Sequence, residues 1–523
     1  MARKCTMYRV CKDSITYLSS LIQVSKSRLL SLIDWVHVAS CYFPFVWGAI
    51  ILYLASQTLL SGLRHKEVFE AMLSANEPAL HVNRAAAVEV GWWFVALILI
   101  LALWLSKRSK PVYLLDFACF EPPESWRLSP EQLMFIMKAQ GCFNEDSLAF
   151  LERLLNQSGC GPATAWPPGI VQCLEGKPQD RSVEAARKEA EIVMFDCVRR
   201  VLDKTGTRPR DIDILVINCS LFSPTPSLCS MVVNEFGLKP NISSYNLAGM
   251  GCSAGLISIE LVQSLLAARP NLTALVVSTE NLTQNLYRGN ERAFLVQNTL
   301  FRCGGAAMIL SNKWTDGFRA SLKLMHVVRN QYVSEDSFGC VYETEDSSPD
   351  MLHGVRLSKD IVKVAGRAME QNFTMLGPHV LPVSEQLKTG FWMMMRYLAK
   401  RLAASGLTIP KVNPYIPDFK RGIDHFCIHA GGRGVIDGIE KNLNLTPAHV
   451  APSRYALYTY GNTSSSSIWY EMDYIRTRSS LRRGQRVLQV AFGSGFKCNS
   501  CVWLCINNYY DGGMLNDRQK KMN

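Results

Sequence analysis

Residues 254–268 read AGLISIELVQSLLAA, a helical stretch apolar on nearly every face, with Glu260 as its only charge. Such a helix has no side to give to water and belongs inside the protein. The 523 residues, 48% hydrophobic and 19% charged, hold enough apolar material for two or more domains. Around the buried helix, strand and helix patterns alternate. Ser182 is placed to cap a helix whose apolar positions Ala186, Ala190, Val193, Cys197 and Val201 recur every three or four residues, and Gly206 is placed to end it. The runs DIDILVINCS, TALVVSTEN (273–281) and AAMILSN (306–312) read as strands. Residues 359–404 read as mainly helical apart from GPHVLPVSE, and a strand-like IDHFCIH follows the Pro-rich connector 409–419. Nearly continuous apolar strands between helices predict an α/β sheet covered on both faces.

The buried helix begins at NLAGMGCSAG, which sets Cys252 after a glycine-rich turn. Unpaired backbone N–H groups and the positive end of the helix dipole favour a thiolate there, so a lowered pKa and a nucleophilic role are expected. Small neighbours (Gly249, Gly251, Ser253, Ala254, Gly255) leave room for a substrate carbonyl. Of nine histidines, His429 ends IDHFCIH and opens HAGGRGVID, where glycines would let a ligand approach the imidazole. His425 shares its strand face by parity and is expected to act as a core or supporting group. In GNTSSSS (461–467), Asn462 is either a helix cap or a neutral donor to an oxyanion, and local pattern does not choose between them.

Two runs lack charge: 38–61 and 91–106. At 1.5 Å per residue the first can cross a hydrocarbon core of about 30 Å, and the second sits at the short end of that range. Basic flanks (Arg3, Lys4, Arg9, Lys12, Lys26 and Arg28 before; Lys107, Arg108 and Lys110 after) predict that both termini and the region from about residue 111 lie in the cytosol. A cleaved signal peptide does not fit the late start of the first run. In a reducing cytosol the 17 cysteines are buried or reactive thiols rather than a disulfide scaffold, and the lone Cys498-Asn-Ser-Cys501 has no second pair at zinc spacing. The net charge of +12 shows no basic stripe interleaved with aromatics, which argues against nucleic acid and for a membrane surface or an anionic substrate.

In chain order, VYLLDFACFEPPE (112–124), NCSLFSPTPSL (218–228), NLAGMGCSAGLISIEL (246–261), STENLT (278–283), FRCGGAA (301–307), LSKDIVKVAGRAM (357–369), LGPHVLPVSEQL (376–387), HFCIHAGGRGVID (425–437), GNTSSSSIWYE (461–471) and FGSGFKCNS (492–500) resemble the plant-type 3-ketoacyl-CoA synthases, the condensing enzymes of very-long-chain fatty acid elongation. The resemblance implies a thiolase-like fold of two related βαβαβ halves in a five-layer αβαβα core, preceded by two transmembrane helices. The divisions expected are a cytosolic segment 1–36, spans at 37–62 and 90–106 around a lumenal loop 63–89, and halves at 107–408 and 409–523. It also implies Cys252 as nucleophile, with His429 and Asn462 as donors to the malonyl thioester oxygen. By the same resemblance, Gly493, Ser494 and Gly495 would form the glycine-rich loop beside the nucleophile. Acyl-CoA and malonyl-CoA would be substrates, with no cofactor or metal. A homodimer in the endoplasmic reticulum membrane is expected, its catalytic region facing the cytosol, with reductase and dehydratase partners.

The chain departs from the family pattern at Gln331 and Tyr458, where histidines are usual, and at Leu286-Tyr287-Arg288-Gly289 after STENLT. These departures motivate an alternative: a weakly active or inactive paralogue that regulates active synthases by association. A soluble-type polyketide synthase sharing the Cys/His/Asn set is a third possibility, opposed by the two apolar runs.

Overall fold

A computed structural model describes residues 110–404, 413, 415–479 and 481–507. The expected segments 1–36, 37–62, 63–89 and 90–106 lie outside the described residues, as do residues 409–412 of the connector.

The strands are β1 (Val112–Cys119), β2 (Arg127–Leu128), β3 (Thr164–Ala165), β4 (Ile214–Asn218), β5 (Ser243–Leu247), β6 (Thr273–Thr279), β7 (Gly305–Ser311), β8 (Leu322–Gln331), β9 (Val341–Glu345), β10 (His353–Leu357), β11 (His425–Ile428), β12 (Arg486–Gly493) and β13 (Lys497–Cys505). Nine of them hydrogen-bond in the order β11-β12-β13-β8-β1-β7-β6-β4-β5. Two groups within this order repeat one connectivity. In the first, β1 lies antiparallel beside β7, β7 antiparallel beside β6, and β6 parallel to β4. In the second, β8, β13, β12 and β11 take the same places with the same directions. Among the described residues the second group has no counterpart of β5: the chain passes from the helix Pro447–Tyr460 straight into Gly461–Thr463.

The two strand groups are joined through one pair of edge strands, and one expectation is corrected. The halves share one continuous sheet through the short pairing of Val112–Leu114 with Leu322–Leu324. The structural division comes earlier than 408/409: β8 pairs with β13 from Leu322↔Cys505 to Gln331↔Lys497, so the change of half falls between Ser311 and Leu322. The connector noted in the sequence is a break in composition, while membership of a half is decided by backbone pairing.

The helix Ala254–Ala268 packs on β4 and β6 and also on β8 and β13; the helix Ser467–Arg478 touches β1 and β7 and also β11 and β12. These two helices therefore lie between the strand groups. Outside, Val183–Thr205 covers β1, β6 and β7, and Ile361–Val380 covers β8 and β13. Strands covered on both faces have no reason to alternate, and β4, β6 and β7 are buried at every position. In the central helix, Leu256, Ile257, Ile259, Val262 and Leu266 are buried, each contributing on the order of 1.5–3 kcal/mol. Its one charge reaches the surface, where Glu260 pairs with Arg329 at 3.1 Å.

Local signals acted as expected at Ser182, whose side chain accepts from the N–H of Ala185, and at Gly206, which ends that helix at φ +61°. The GPHVLPVSE break is narrower than its sequence suggests. The helix Ile361–Val380 runs through Pro378, and the chain leaves it only at Leu381 (φ −76°, ψ 142°), held extended by Pro382 before the next helix, Val383–Ala404, begins.

Asn218, fully buried at the end of β4, ties the layers together. Its Nδ2 donates to Ser258 Oγ (2.9 Å) on the central helix and Ser278 Oγ (2.8 Å) on β6, and its Oδ1 accepts from Ser465 Oγ (2.6 Å). Asn218→Ala is expected to lower stability by about 3 kcal/mol, because buried hydroxyls lose their partners. Thermal unfolding checks this, and an unchanged midpoint would remove Asn218 from its structural role.

Candidate functional site

Two glycine turns bring backbone against backbone around Cys252. Gly249 and Gly251 have φ of +66° and +67°, and a Cβ on Gly251 would lie 2.5 Å from the Ser494 nitrogen. On the other side, a Cβ on Gly493 would lie 2.6 Å from the Met250 carbonyl oxygen. The turn between β12 and β13 is thereby held beside the short helical turn Gly251–Ser253 that leads into the central helix. Gly493, Ser494 and Gly495 line the same cavity as Cys252.

That cavity has a volume of about 1120 Å³. Cys252, His429 and Asn462, which lie far apart in the chain, all line it. Cys252 is partly exposed to it, and its sulfur lies 3.6 Å from Ser464 Oγ. The expected lowering of the thiol pKa is reversed. Burial pushes it up to about 12, the nearby Glu280 carboxylate adds to the rise, and the hydrogen bond from Ser464 and the residue's own N–H only partly oppose it. The helix terminus is real, but the cost of desolvating an anion is greater.

His429 follows β11 directly. Its N–H continues the pairing to Val490 O at 2.9 Å, and Gly431 N–H then turns back to His429 O at 2.7 Å. A Cβ on Gly431 would sit 3.2 Å from both Cδ2 and Nε2 of the imidazole, so this glycine makes room for the histidine ring itself. Burial pulls the imidazole down to about 4, which keeps it neutral at physiological pH; its Nδ1 is buried without a hydrogen-bond partner. His425 is not a supporting group. Its Nε2 meets Gln485 Oε1 at 3.2 Å, and it lies outside the cavity lining. Four residues of strand put it about 13 Å from His429: face parity says nothing about that distance.

The Asn462 side chain makes a local contact through its oxygen and keeps one amide hydrogen for the cavity. Its Oδ1 accepts from Ser464 N–H (2.9 Å), a capping contact at the turn Ser464–Ser466, while Nδ2 faces Gly431 O at 3.3 Å and retains a second hydrogen to donate. Its backbone is clamped between Leu300 O (3.0 Å) and Arg302 N–H (2.9 Å). Arg302 is itself buried, with Nε on Thr164 Oγ1 at 2.7 Å, and it packs against Gly461, whose φ is +73°.

Sequence reasoning missed Ser464 and Glu280. Glu280 is buried at the edge of the cavity and accepts from Ser220 N (3.0 Å), Leu221 N (2.8 Å) and Ser464 Oγ (2.9 Å). An acidic residue directly after the mainly apolar strand TALVVST was the available signal. Cys498 and Cys501, three apart on β13, are both buried; an odd spacing directs them to opposite faces of the strand.

The chain matches the family model described as FAE1/Type III polyketide synthase-like protein over residues 104–401 and that of the 3-Oxoacyl-[acyl-carrier-protein (ACP)] synthase III C terminal over 420–505. It is 49% identical over 412 residues to 3-ketoacyl-CoA synthase 2 of Arabidopsis thaliana, covering 78% of this chain and 76% of that one. The chain belongs to the 3-ketoacyl-CoA synthase family. Another member, 3-ketoacyl-CoA synthase 11 of Arabidopsis thaliana, is 48% identical over 413 residues, covering 79% and 78%. The fold is shared more widely. A fungal type III polyketide synthase, ORAS, superposes with TM-score 0.58 at 19% identity, covering 75% of this chain and 99% of the other. PKS-I from the brown alga Ectocarpus siliculosus gives 0.59 at 17%, covering 76% and 100%.

For a 3-ketoacyl-CoA synthase, the sequence departures fall unevenly. Gln331 lines the cavity and donates from Nε2 to Gly495 O at 3.0 Å, bracing the glycine loop. Tyr458 is exposed, lies against Gly161 and is outside the cavity lining, as is Arg288. The interlocked turns generate one expectation. Gly251→Ala combines a disfavoured backbone region with a clash against the Ser494 backbone, so alkylation of Cys252 should slow at least tenfold and the thermal midpoint should fall. Wild-type alkylation kinetics in this variant would show that the two turns need not interlock.

Proposed function

We propose that this chain condenses a long-chain acyl-CoA with malonyl-CoA in very-long-chain fatty acid elongation. The observation that carries the reading is the convergence of Cys252, His429 and Asn462 on one cavity. Cys252 sulfur attacks the acyl thioester carbon, the backbone N–H groups of the Gly493–Gly495 turn receive the developing oxyanion, and CoA leaves. Malonyl-CoA then loses carbon dioxide. The electron pair of the broken carbon–carbon bond becomes an enolate, whose oxygen accepts from His429 Nε2–H and Asn462 Nδ2–H. The enolate carbon attacks the acyl-Cys252 thioester and displaces the sulfur, giving a 3-ketoacyl-CoA two carbons longer.

A neutral imidazole suits this role, since its N–H donates a hydrogen bond to the enolate oxygen and is too weak an acid to quench the enolate by proton transfer. The lining supports both parts of the substrate. The short helix Glu335–Phe338, the β9–β10 hairpin and the helix Ile361–Val380 contribute Phe338, Val341, Val355, Ile361 and Val362 for an acyl chain, and Arg292, Arg356, Lys359, Arg433 and Lys497 offer cations to CoA phosphates. The regulatory alternative is not favoured, because the chemical groups of the cavity are complete and Tyr458 and Arg288 lie away from it.

The test uses membranes from cells lacking their own condensing activity, supplied with labelled malonyl-CoA and a panel of acyl-CoAs. The chain should form a product two carbons longer and Cys252→Ala should form none; absence of product from well-expressed protein would defeat the proposal. Asn462→Asp should suppress malonyl decarboxylation at least a hundredfold by setting a like charge beside the enolate. Because His429 stays neutral down to about pH 4, decarboxylation should show no inflection from this group between pH 5 and 8.

The same proposal puts the catalytic region on the cytosolic face of the endoplasmic reticulum membrane. Besides the uncharged runs 38–61 and 91–106, it is supported by the helix Val383–Ala404, which exposes Val383, Leu387, Phe391, Met394, Leu398 and Leu402 at spacings of three and four. Asn271 stands exposed in a turn within Asn271-Leu-Thr. A cytosolic location predicts that it carries no glycan, and an endoglycosidase-sensitive shift lost on Asn271→Gln would reverse the topology.

A further inference from the structure

A thiol pushed up by burial needs a proton acceptor, and the structure offers one other than the imidazole. Ser464 Oγ stands between Cys252 Sγ (3.6 Å) and Glu280 Oε2 (2.9 Å). A hydroxyl carries one proton, so Ser464 can donate to the sulfur or to the carboxylate but not to both at once; when it donates to the carboxylate, its lone pairs are left to accept from the thiol. Ser464 is held for this position at φ +55°, a region unfavourable to a side chain, by its N–H on Asn462 Oδ1 and by Ser467 Oγ on its carbonyl (3.0 Å). The two carboxylate oxygens divide the work: Oε1 takes the N–H groups of Ser220 and Leu221 and the Cys219 thiol, which leaves Oε2 to Ser464.

We propose that Glu280, acting through Ser464, takes the proton of Cys252 and holds it while the acyl-enzyme exists. This rests on Cys252 being the nucleophile. The S–H proton passes to Ser464 Oγ as the hydroxyl proton of Ser464 moves to Glu280 Oε2, leaving thiolate, hydroxyl and carboxylic acid with the net charge unchanged. The thiolate forms the new thioester, and CoA departs as a thiolate that solvent protonates. When the enolate later displaces Cys252, the released thiolate recovers its proton from Glu280 by the reverse path. Burial raises the carboxyl pKa of Glu280, which brings the acceptor closer to the thiol it serves. The titratable groups around the pair are Cys219 after β4, Glu189 on the helix Val183–Thr205 and His429, Arg292 and Lys497 in the cavity lining.

The test measures acylation of the full-length protein by a long-chain acyl-CoA, using rapid quenching and intact mass, between pH 6 and 9. Glu280→Gln keeps an oxygen for the backbone N–H groups but removes the acceptor, and Ser464→Ala removes the bridge. Both should slow acylation about a hundredfold and convert a flat pH profile into one rising about tenfold per pH unit. A carboxylate that merely repels the thiolate gives the opposite result: acylation in Glu280→Gln as fast as wild type, or faster, with an unchanged profile. That outcome overturns the proposal. If Glu280→Gln does not fold, Ser464→Ala decides by the same criteria. Acylation persisting in Cys252→Ala would instead overturn the nucleophile assignment, and the relay with it.

Discussion

The site depends on backbones approaching closer than side chains allow. A Cβ on Gly255, in the first turn of the central helix, would sit 2.6 Å from the carbonyl oxygen of Ser465. With hydrogen alone at that position, the loop carrying Asn462 can lie directly on the helix that begins at Cys252. Gly251 and Gly493 permit the same closeness from the side of the β12–β13 turn. The small residues around the nucleophile thus do more than leave space for substrate: they let the two halves close on each other. Asn218 then binds the seam, joining β4, the central helix, β6 and Ser465 through one buried amide.

Closing the seam also sets the electrostatics. A thiol, an imidazole and a carboxylate are brought into a poorly solvated space, and each is pushed toward its uncharged form by burial. His429 becomes a neutral donor and Cys252 an unionised thiol. Glu280 has its carboxyl pKa raised by the same burial, and Ser464 is the hydroxyl that lies between it and the sulfur. The cations of the lining, among them Arg292, Arg433 and Lys497, can then serve the substrate.

Much of this was legible in the chain because it is encoded locally. The cap at Ser182, the end at Gly206, the apolar strands β4, β6 and β7, and the all-apolar helix after Cys252 are properties of a few consecutive residues. The errors have a common origin in distance. β8 was placed with the wrong half because its partner, β13, lies more than a hundred residues later. His425 was given a supporting role because face parity along a strand says nothing about how far the strand carries a side chain from the site. The break at GPHVLPVSE was drawn too wide because two prolines resemble one loop, although only Pro382 ends the helix.

By itself the sequence determined the family, the chemical types at the site and the local elements that present them, since motif, capping and periodicity are short-range. Tertiary structure decided which strands belong together, how the side chains share their hydrogen bonds, and which way each pKa moves. The helix-terminus rule at Cys252 is sound and still gave the wrong direction. Solvation of an ionising group depends on everything packed around it, and here that environment comes from segments hundreds of residues apart.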